Sequence, residues 1–297
     1  MNNFQQLAII GSTASGKSAL AVKVAQKINA NILSLDSLSI YKEIDIASAK
    51  PTIEERKGII HFGVDIITPN EAFDVTTFIE LYQEARYKSI QEERNLIIVG
   101  GTSFYLKTLI EGISPLPKIS NTTQQKSNEY LQDLESAYRF LYSLDKSYMS
   151  RIKPEDRYRI EKMLNLYFET DMTPSNYFRT NPPKPIIDEK LDIYEINIER
   201  ELLRRRIKKR TLTMIQMGLI DEVKMLEQRY TREPNCMKSI GIKEVLKYFD
   251  GEYTKEEMQE WITIHTAQLA KRQRTFNKSQ FKSRVSLPLD ELERSLL

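Results

Sequence analysis

The stretch that decides the fold is AIIGSTASGKSAL, residues 8–20. It contains the spacing G-x-x-x-x-G-K-[ST], after an apolar run and before the helical sequence SALAVKVAQKI. This pattern is typical of a phosphate-binding loop, in which backbone N–H groups point at an anion from the N-terminus of a helix. Lys17 adds a cation and Ser18 offers a hydroxyl to Mg²⁺. The sequence therefore predicts a di- or triphosphate site formed by Gly11, Ser12, Thr13, Ala14, Ser15, Gly16, Lys17 and Ser18.

Short apolar runs in the first third of the chain alternate with amphipathic helical patterns. The runs are LAII at 7–10, NILSL at 31–35 and NLIIV at 95–99. Strands that alternate with helices predict βαβ units and a mainly parallel sheet, whose ligands lie beyond the carboxyl ends of the strands. We therefore expect an α/β fold of the P-loop NTPase type, with a parallel sheet flanked by helices.

The middle of the chain differs in composition from its ends. The segment 113–217 contains no glycine, and five of the eleven prolines lie in the two clusters SPLPK and NPPKP. Prolines end helices, and the sequence between the clusters has a helical pattern. We predict an inserted all-helical domain at 119–188, within a core formed by 1–118 and 189–297.

After this insertion the pattern returns to that of the core. LDIYEINI at 191–198 predicts a strand that rejoins the sheet. One long helix is expected at about 199–230, and another at about 254–277. Thr254 and Glu257 form the T-x-x-E capping box with which such a helix begins.

Composition limits the classes to which the protein can belong. It has 297 residues, 40% of them hydrophobic, which suffices for a sizeable core, and its net charge is only +3. The single cysteine, Cys236, excludes an internal disulfide framework, and two histidines offer no metal-site spacing. No apolar run approaches the ~18 residues of a membrane span. We expect a cytoplasmic protein without a membrane partner, and a monomer by default.

An acidic residue follows the second apolar run. NILSL leads to Asp36 and Ser37, whereas NLIIV leads to Gly100, Gly101 and Thr102. A nucleotide-hydrolysing motor usually has an acidic metal ligand at such a strand end, which NLIIV lacks. If the second strand lies beside the first, Asp36 emerges close to the phosphate loop. Asp36 can then be a metal ligand, a general base or a turn cap, and we favour the base, because a transferase must take a proton from its acceptor.

Seven Arg or Lys residues occur within positions 200–210. An apolar stripe, formed by Leu203, Ile207, Met214 and Met217, runs along the same predicted helix. An arginine that points inward beside a phosphate loop can neutralise an anion. Arg210 falls on the stripe and Arg206 on its border, so we predict that both bind the anion, while Arg204, Arg205, Lys208 and Lys209 face solvent.

A second basic segment, AQLAKRQRTFNKSQFKSR, occupies 267–284 and has no acidic residue. Cations bind a phosphate backbone, and aromatic side chains stack on bases. The segment is therefore a candidate RNA-binding surface, with Lys271, Arg272 and Arg274 as candidate contacts and Phe276 and Phe281 as candidate stacking residues.

Together these motifs resemble the tRNA dimethylallyltransferase family. The resemblance runs from Leu7 to about Lys278. Some positions carry other residues than the family usually has: Ser18 replaces Thr and keeps the hydroxyl, and Ser39 replaces Gln. The motifs that carry the resemblance are G-x-T-A-S-G-K-[ST] at 11–18, D-S-x-x-I-Y with A-K-P at 36–51, G-G-T-x-x-Y at 100–105, R-x-x-L-x-x-R-I-x-x-R-x-x-x-M-x-x-x-G-L at 200–219, I-G-x-K-E at 240–244 and L-A-K-R-Q-R-T at 269–275.

The resemblance implies a reaction. A dimethylallyl group would pass from dimethylallyl diphosphate to the exocyclic amine of the adenosine 3′ of the anticodon, in tRNAs reading codons that begin with U. Mg²⁺, contacted by Ser18, would be the cofactor, and the tRNA anticodon stem-loop the partner.

The resemblance also implies roles for particular residues. Lys17 and Arg206 would neutralise the leaving diphosphate, Asp36 would accept the amine proton, and Thr102 would line the channel where adenine meets the donor. The residues implied to contact tRNA are Asp36, Ser37, Leu38, Ser39, Tyr158, Arg159, Ile160, Glu161 and Lys162.

Two alternatives remain open at this point. In a small-molecule kinase of the P-loop class, Asp36 would activate a hydroxyl acceptor. In a non-catalytic RNA-binding protein, the loop would be a nucleotide-dependent switch. Neither alternative predicts the whole ordered set of motifs.

Overall fold

The computed structural model describes residues 4–297. Within this range six strands form one parallel sheet: β1 (Gln6–Gly11), β2 (Ala30–Ser34), β3 (His61–Phe62), β4 (Asn95–Gly100), β5 (Asp192–Ile196) and β6 (Val285–Leu287). Their order across the sheet is β3-β2-β4-β1-β5-β6, and all neighbouring pairs are parallel. The expected α/β fold with a parallel sheet is confirmed.

Fourteen α-helices lie in the described range. They are α1 (Lys17–Lys27), α2 (Ile53–Arg56), α3 (Val75–Gln91), α4 (Ser103–Glu111), α5 (Asn121–Tyr130), α6 (Leu134–Leu144), α7 (Lys146–Met149), α8 (Arg157–Thr170), α9 (Pro174–Thr180), α10 (Arg200–Gln216), α11 (Leu219–Tyr230), α12 (Ile242–Phe249), α13 (Lys255–Gln280) and α14 (Leu289–Leu296). No helix among residues 4–297 is both long enough and apolar enough to cross a membrane.

The sheet is held by apolar side chains on both of its faces. Ile9, Ile32 and Ile97, on three adjacent strands, are fully buried in one cluster with Leu20 and Val24 of α1. Strands buried on both faces have near-continuous apolar sequences, as LAII and NLIIV do. This packing fixes α1 against one face of the sheet, and with it the phosphate loop at the carboxyl end of β1.

The strand order corrects one expectation. β4 pairs with both β1 and β2, so the second strand of the chain does not lie beside the first. The apolar sequence NLIIV suits the centre of a sheet, where both edges are paired and both faces are covered. Asp36 therefore reaches the phosphate loop across the end of β4, where Gly100 and Gly101 have no side chains.

The helix expected at 199–230 is two helices. Gly218, with φ of 102°, ends α10 and begins α11, a backbone conformation that glycine adopts without strain. The turn also leaves Met217 60% exposed, so this residue does not continue the buried stripe of Leu203, Ile207 and Met214. The capping box of Thr254 and Glu257 is present at the start of α13.

Residues 111–186 form a compact unit of their own, and the described residues up to 110 form the other together with 187–297. These limits lie a few residues before those expected from the prolines. Both ends of the smaller unit meet in a short antiparallel bridge between Ile113 and Lys184. Its core is helical, with fully buried Leu141, Ile160 and Leu164, and Tyr138 and Tyr142 pack against it.

We predict that Gly100→Ala is much more damaging than Gly101→Ala. An added Cβ at Gly100 would lie 2.6 Å from the Cβ of Leu35 and 2.9 Å from its backbone, which cannot give way easily. At Gly101 the nearest atom is the flexible amide end of Gln273. Gly100→Ala should lower the free energy of unfolding by about 2 kcal/mol or more, as measured by denaturant unfolding. Equal losses of unfolding free energy in the two variants would contradict the tight packing of Gly100 against Leu35.

Candidate active site

The phosphate loop joins β1 to α1 in the conformation that such loops need. Gly16 is left-handed, with φ of 101°, and Ala14 is also left-handed, with φ of 61°. A Cβ on Gly11 would lie 2.9 Å from the Oγ of Ser15. A non-glycine residue held at positive φ stores strain, which occurs most often at ligand sites. Ala14 is therefore a strained position within the loop.

Lys17 is the cation at the centre of the loop. Its Nζ donates a hydrogen bond to the carbonyl oxygen of Ser12 at 3.3 Å. Burial lowers the pKa of Lys17 to about 8, the Asp36 carboxylate opposes this change and Arg210 adds to it. The lysine charge is therefore poorly compensated by the protein itself, which favours an anionic ligand.

Two arginines of α10 approach the loop. Arg206 donates from NH1 to the carbonyl oxygen of Ser15 at 3.0 Å. Burial lowers the pKa of Arg210, and the Asp36 carboxylate opposes this change. Both arginines are half-buried, as the apolar stripe predicted, whereas the four cations expected to face solvent, Arg204, Arg205, Lys208 and Lys209, are exposed.

Asp36 lies at the carboxyl end of β2 and caps its own turn. Its Oδ1 accepts hydrogen bonds from the backbone N–H of Leu38 at 2.9 Å and of Ser39 at 3.4 Å. In the described part of the chain Oδ2 has no hydrogen-bond partner. The turn-capping alternative is thus realised by one oxygen, while the other is left for a ligand.

These groups surround a central cavity of about 200 Å³. Asp36, Lys17 and Arg210 line it together with Thr102. Apolar side chains of α10, α13 and the turn before α12 complete the wall. They are Ile207, Met214, Ile240, Ile262 and Leu269. A small cavity that has both an apolar wall and convergent polar groups suits a flat ligand with polar edges.

Gln273 of α13 is a site residue that we did not single out from the sequence. Its Oε1 accepts a hydrogen bond from the backbone N–H of Thr13 at 2.9 Å, and its amide lies over Gly101. It also lines the central cavity. The one indication in the sequence was its place among the cations of the motif L-A-K-R-Q-R-T. Gln273 joins α13 to the phosphate loop.

Ser37, Leu38 and Ser39 follow Asp36, and they differ in exposure. Ser37 and Leu38 line the central cavity. Ser39 is buried, and its Oγ bonds to Ser34 Oγ and the carbonyl oxygen of Asp36. The Ser39 hydroxyl is therefore occupied within the protein and does not face the cavity.

The second group of expected tRNA contacts lies on α8 of the smaller unit. Tyr158, Arg159 and Lys162 are exposed, and Lys162 lies over the Tyr158 ring at 5.6 Å. Glu161 is half-buried and accepts a hydrogen bond from Gln124. The expected tRNA contact of Ile160 is wrong, because this residue is fully buried in the helical core and its side chain cannot touch RNA.

The expectation that the basic segment 267–284 is an RNA-binding surface is wrong for one of its residues. Lys271, Arg272 and Arg274 are exposed. Phe281 is buried, however, and Phe276 packs against it with 6.4 Å between ring centroids. Phe281 is therefore not free to stack on a base, whereas Phe276 is half-buried and its stacking role stays a prediction.

Ser18 was expected to contact Mg²⁺. It is exposed at the start of α1 and shares a small cavity with Asp36. Among residues 4–297 no cluster of three His, Cys, Asp or Glu side chains could hold a metal ion. Mg²⁺ commonly keeps several waters and binds through phosphate oxygens with one or two protein ligands. A single hydroxyl beside the phosphate loop is consistent with this mode of Mg²⁺ coordination.

Fold and site together define a protein of the P-loop type, with a cavity beside the phosphate loop. A family model described as IPP transferase matches residues 39–280. The chain therefore belongs to the IPP transferase family.

Similar proteins and solved structures support this family assignment. The chain is 59% identical to the tRNA dimethylallyltransferase of Sulfurovum sp., covering 99% of this chain and 97% of that protein. Its identity to the Sulfurimonas denitrificans enzyme of the same name is 55%, over 98% of both. A eukaryotic dimethylallyltransferase acting on tRNA superposes with a TM-score of 0.84 and 26% identity, covering 96% of this chain and 74% of that one. The tRNA isopentenylpyrophosphate transferase of Bacillus halodurans has a TM-score of 0.72 and 26% identity, covering 98% and 94%.

Diphosphate affinity is predicted to fall as the pH rises above about 8. The free protein loses the Lys17 proton near that pH, while a bound anion holds the proton and raises the pKa. Binding then requires proton uptake, which weakens affinity by up to about tenfold per pH unit. Calorimetry with an unreactive analogue of dimethylallyl diphosphate, between about pH 7 and 9.5, measures both affinity and proton uptake. In Lys17→Met the affinity should be low and flat over this range; a flat profile for the unsubstituted protein would contradict the assignment.

Gln273→Leu is predicted to destabilise the free protein more than the ligand-bound protein. The substitution removes the acceptor for the Thr13 N–H, which should cost about 1 kcal/mol of unfolding free energy. A diphosphate oxygen can then accept from the same N–H. The measurement is denaturant unfolding with and without the donor analogue. Gln268→Leu, at an exposed position of the same helix, is the control, and identical unfolding of Gln273→Leu and the unsubstituted protein would refute the role.

Proposed function

We propose that the protein transfers a dimethylallyl group from dimethylallyl diphosphate to the N6 amine of the adenosine 3′ of the anticodon, in tRNAs reading codons that begin with U. The observation that carries this proposal is the position of Asp36. It shares one cavity with Lys17 and Arg210, so a proton acceptor faces the cations of the phosphate loop. The relatives named above are tRNA dimethylallyltransferases.

In the proposed reaction the leaving group is diphosphate. The bond between the donor's first carbon and its bridging oxygen breaks, and that electron pair departs with the diphosphate. Lys17, Arg206, Arg210 and the loop N–H groups compensate the charge that develops. Mg²⁺, held by the Ser18 hydroxyl, would supply further compensation of the phosphate oxygens when bound.

The acceptor amine forms the new carbon–nitrogen bond. As nitrogen attacks, one N6 proton must leave, and the unpaired Oδ2 of Asp36 can accept it. An adenine amine is a weak nucleophile, so a base that removes the proton during bond formation contributes about 10²- to 10⁴-fold to the rate. Thr102 and Gln273 line the same cavity and would position the ring.

The adenosine must leave its stack in the anticodon loop to enter this cavity. Enzymes that act on a base extrude it and surround it with apolar and polar side chains. The apolar wall of the central cavity suits such a ring. Exposed Lys271, Arg272 and Arg274 are proposed to bind the surrounding phosphates. Because tRNA is the proposed substrate, we propose that the enzyme works in the cytoplasm. We also propose that it is a monomer.

The direct test is incubation with dimethylallyl diphosphate and unmodified tRNA, followed by mass analysis of the nucleosides. The expected product is adenosine with an added dimethylallyl group, formed without ATP. No mass gain with folded protein would reject the proposed function. A phosphorylated small-molecule product that required ATP and not tRNA would favour a kinase.

Asp36→Asn is predicted to reduce turnover by at least 100-fold while tRNA binding persists. The amide oxygen can still accept from the N–H groups of Leu38 and Ser39, so the turn stays intact, but the amide cannot take a proton. Single-turnover rates measure the effect, and filter binding measures tRNA affinity. The control is Asp221→Asn, an exposed carboxylate on α11. Normal turnover in Asp36→Asn would refute the base assignment.

A further inference from the structure

Residues 44–50 form a tight turn to which the proposed reaction gives no role. We call it the 44–50 turn. The backbone N–H of Ala49 donates to the carbonyl oxygen of Ile46 at 2.9 Å, and that of Lys50 donates to the carbonyl oxygen of Asp45 at 3.0 Å. Ala49 is left-handed, with φ of 46°. A non-glycine residue keeps this conformation only where the surrounding structure holds it.

The turn contributes to three cavities that Lys17 also lines. They are the central cavity, the small cavity that Ser18 shares with Asp36, and an outer cavity of about 760 Å³. The turn is therefore a wall common to these three cavities. Ala47 and Ser48 line the central cavity, Ser48, Ala49 and Lys50 the small one, and Asp45, Ile46, Ala49 and Lys50 the outer one.

Lys50 is committed to holding the turn. Its side chain is only 4% exposed, and its Nζ donates to the carbonyl oxygen of Tyr41 at 2.9 Å. It also forms ion pairs with Asp45 and Asp65, each at 2.6 Å. A lysine has three N–H donors, and these three acceptors use them all. Lys50 is therefore not a free cation for the donor, although it lines two of the cavities.

Glu222 of α11 holds the backbone of the same turn. Its Oε2 accepts hydrogen bonds from the backbone N–H of Asp45 at 3.0 Å and of Ile46 at 2.7 Å, and its Oε1 accepts from that of Ala47 at 2.9 Å. Successive N–H groups that converge on one anion form a nest, which in many proteins binds an anionic ligand. Here a side chain of the protein supplies the anion.

Glu222 acts on the turn and not on the contents of the cavities. It is half-buried and lines none of the three cavities. In the described part of the chain it forms no ion pair. Burial raises the pKa of its carboxyl, and the three N–H groups of the turn oppose this change. A buried carboxylate is costly unless it is hydrogen-bonded, so Glu222 and the turn fix each other.

The starts of α11 and α12 lie against the turn as well. A Cβ added at Gly218, where α11 begins, would lie 4.0 Å from Cδ1 of Ile46. At Gly241, where α12 begins, it would lie 4.0 Å from the Cβ of Ala47. Both distances are ordinary van der Waals contacts. The side of the turn that faces these helices is thus packed, while its other side chains line the cavities.

A donor bound by the phosphate loop would meet this wall. The hydrocarbon group of an allyl diphosphate is attached to the phosphates, so it must lie in one of the cavities beside Lys17. Each of these cavities has an apolar side chain of the turn in its wall: Ala47 in the central cavity, Ala49 in the small one, and Ile46 with Ala49 in the outer one.

We propose that Glu222 is a positioning residue of the donor site, which holds the 44–50 turn against the hydrocarbon group of the donor. This proposal rests on the proposed function, because it takes an allyl diphosphate as the ligand of the phosphate loop. Apolar walls stabilise a hydrocarbon ligand only while they stay in contact with it. The carboxylate would thus affect binding of the hydrocarbon group without touching the donor.

The test compares two ligands of the phosphate loop in Glu222→Gln. The amide keeps the size of the side chain but replaces one acceptor oxygen by a donor, so at least one N–H group of the turn loses its partner. Calorimetry measures the affinity for an unreactive analogue of dimethylallyl diphosphate and for inorganic diphosphate, which has no hydrocarbon group. The analogue should bind about 4- to 15-fold more weakly, which corresponds to lost contact with one or two carbon atoms. Affinity for inorganic diphosphate should change less than about twofold.

The matched control is Glu169→Gln. Glu169 also accepts a hydrogen bond from a backbone N–H, that of Ser120 at 2.9 Å, but it lines none of the three cavities. Its substitution should leave both affinities unchanged. A loss of stability alone would weaken both ligands alike, so equal weakening of the two in Glu222→Gln would overturn the proposal, and so would an unchanged affinity for the analogue. Nucleoside mass analysis of the unsubstituted protein reports the proposed function separately, because it does not involve this variant.

Discussion

Lys17 carries its charge where burial opposes it, and the arrangement of the site depends on this constraint. Burial lowers its pKa to about 8. Asp36 compensates only in part, since one of its oxygens is committed to its own turn. The Arg206 guanidinium bonds to a loop carbonyl, and Arg210 adds positive charge. The protein alone thus leaves an excess of positive charge that a diphosphate can neutralise.

The long helix α13 connects this excess charge to the rest of the molecule. Through Gln273 it fixes the N–H of Thr13, and through Leu269 and Ile262 it supplies part of the apolar wall of the central cavity. Its exposed face carries Lys271, Arg272 and Arg274. RNA that binds along α13 would therefore contact a helix that also holds the phosphate loop. This gives a physical route by which acceptor binding can affect the donor site.

Much of the fold could be predicted from the sequence, because apolar runs and the loop spacing report local structure. Strand neighbours could not, since a crossover connection can skip a strand, and β4 lies between β1 and β2. The inward position of Arg206 and Arg210 followed from helical periodicity. Gln273 did not, because its role depends on a contact across 260 residues. Burial of Phe281 and Ile160 likewise comes from tertiary packing that composition does not reveal.

The end of β4 explains how a phosphate loop could serve carbon chemistry in the proposed reaction. A nucleotide hydrolase needs an acidic residue there to hold metal for cleavage at a phosphorus atom. In this chain Gly100 and Gly101 leave that space free of side chains, and the amide of Gln273 occupies part of it. A carboxylate is present instead at the end of β2, on the cavity wall. In the proposed reaction the cations would bind the departing group while Asp36 would lie beside the acceptor, so the bond change would fall at the carbon between them.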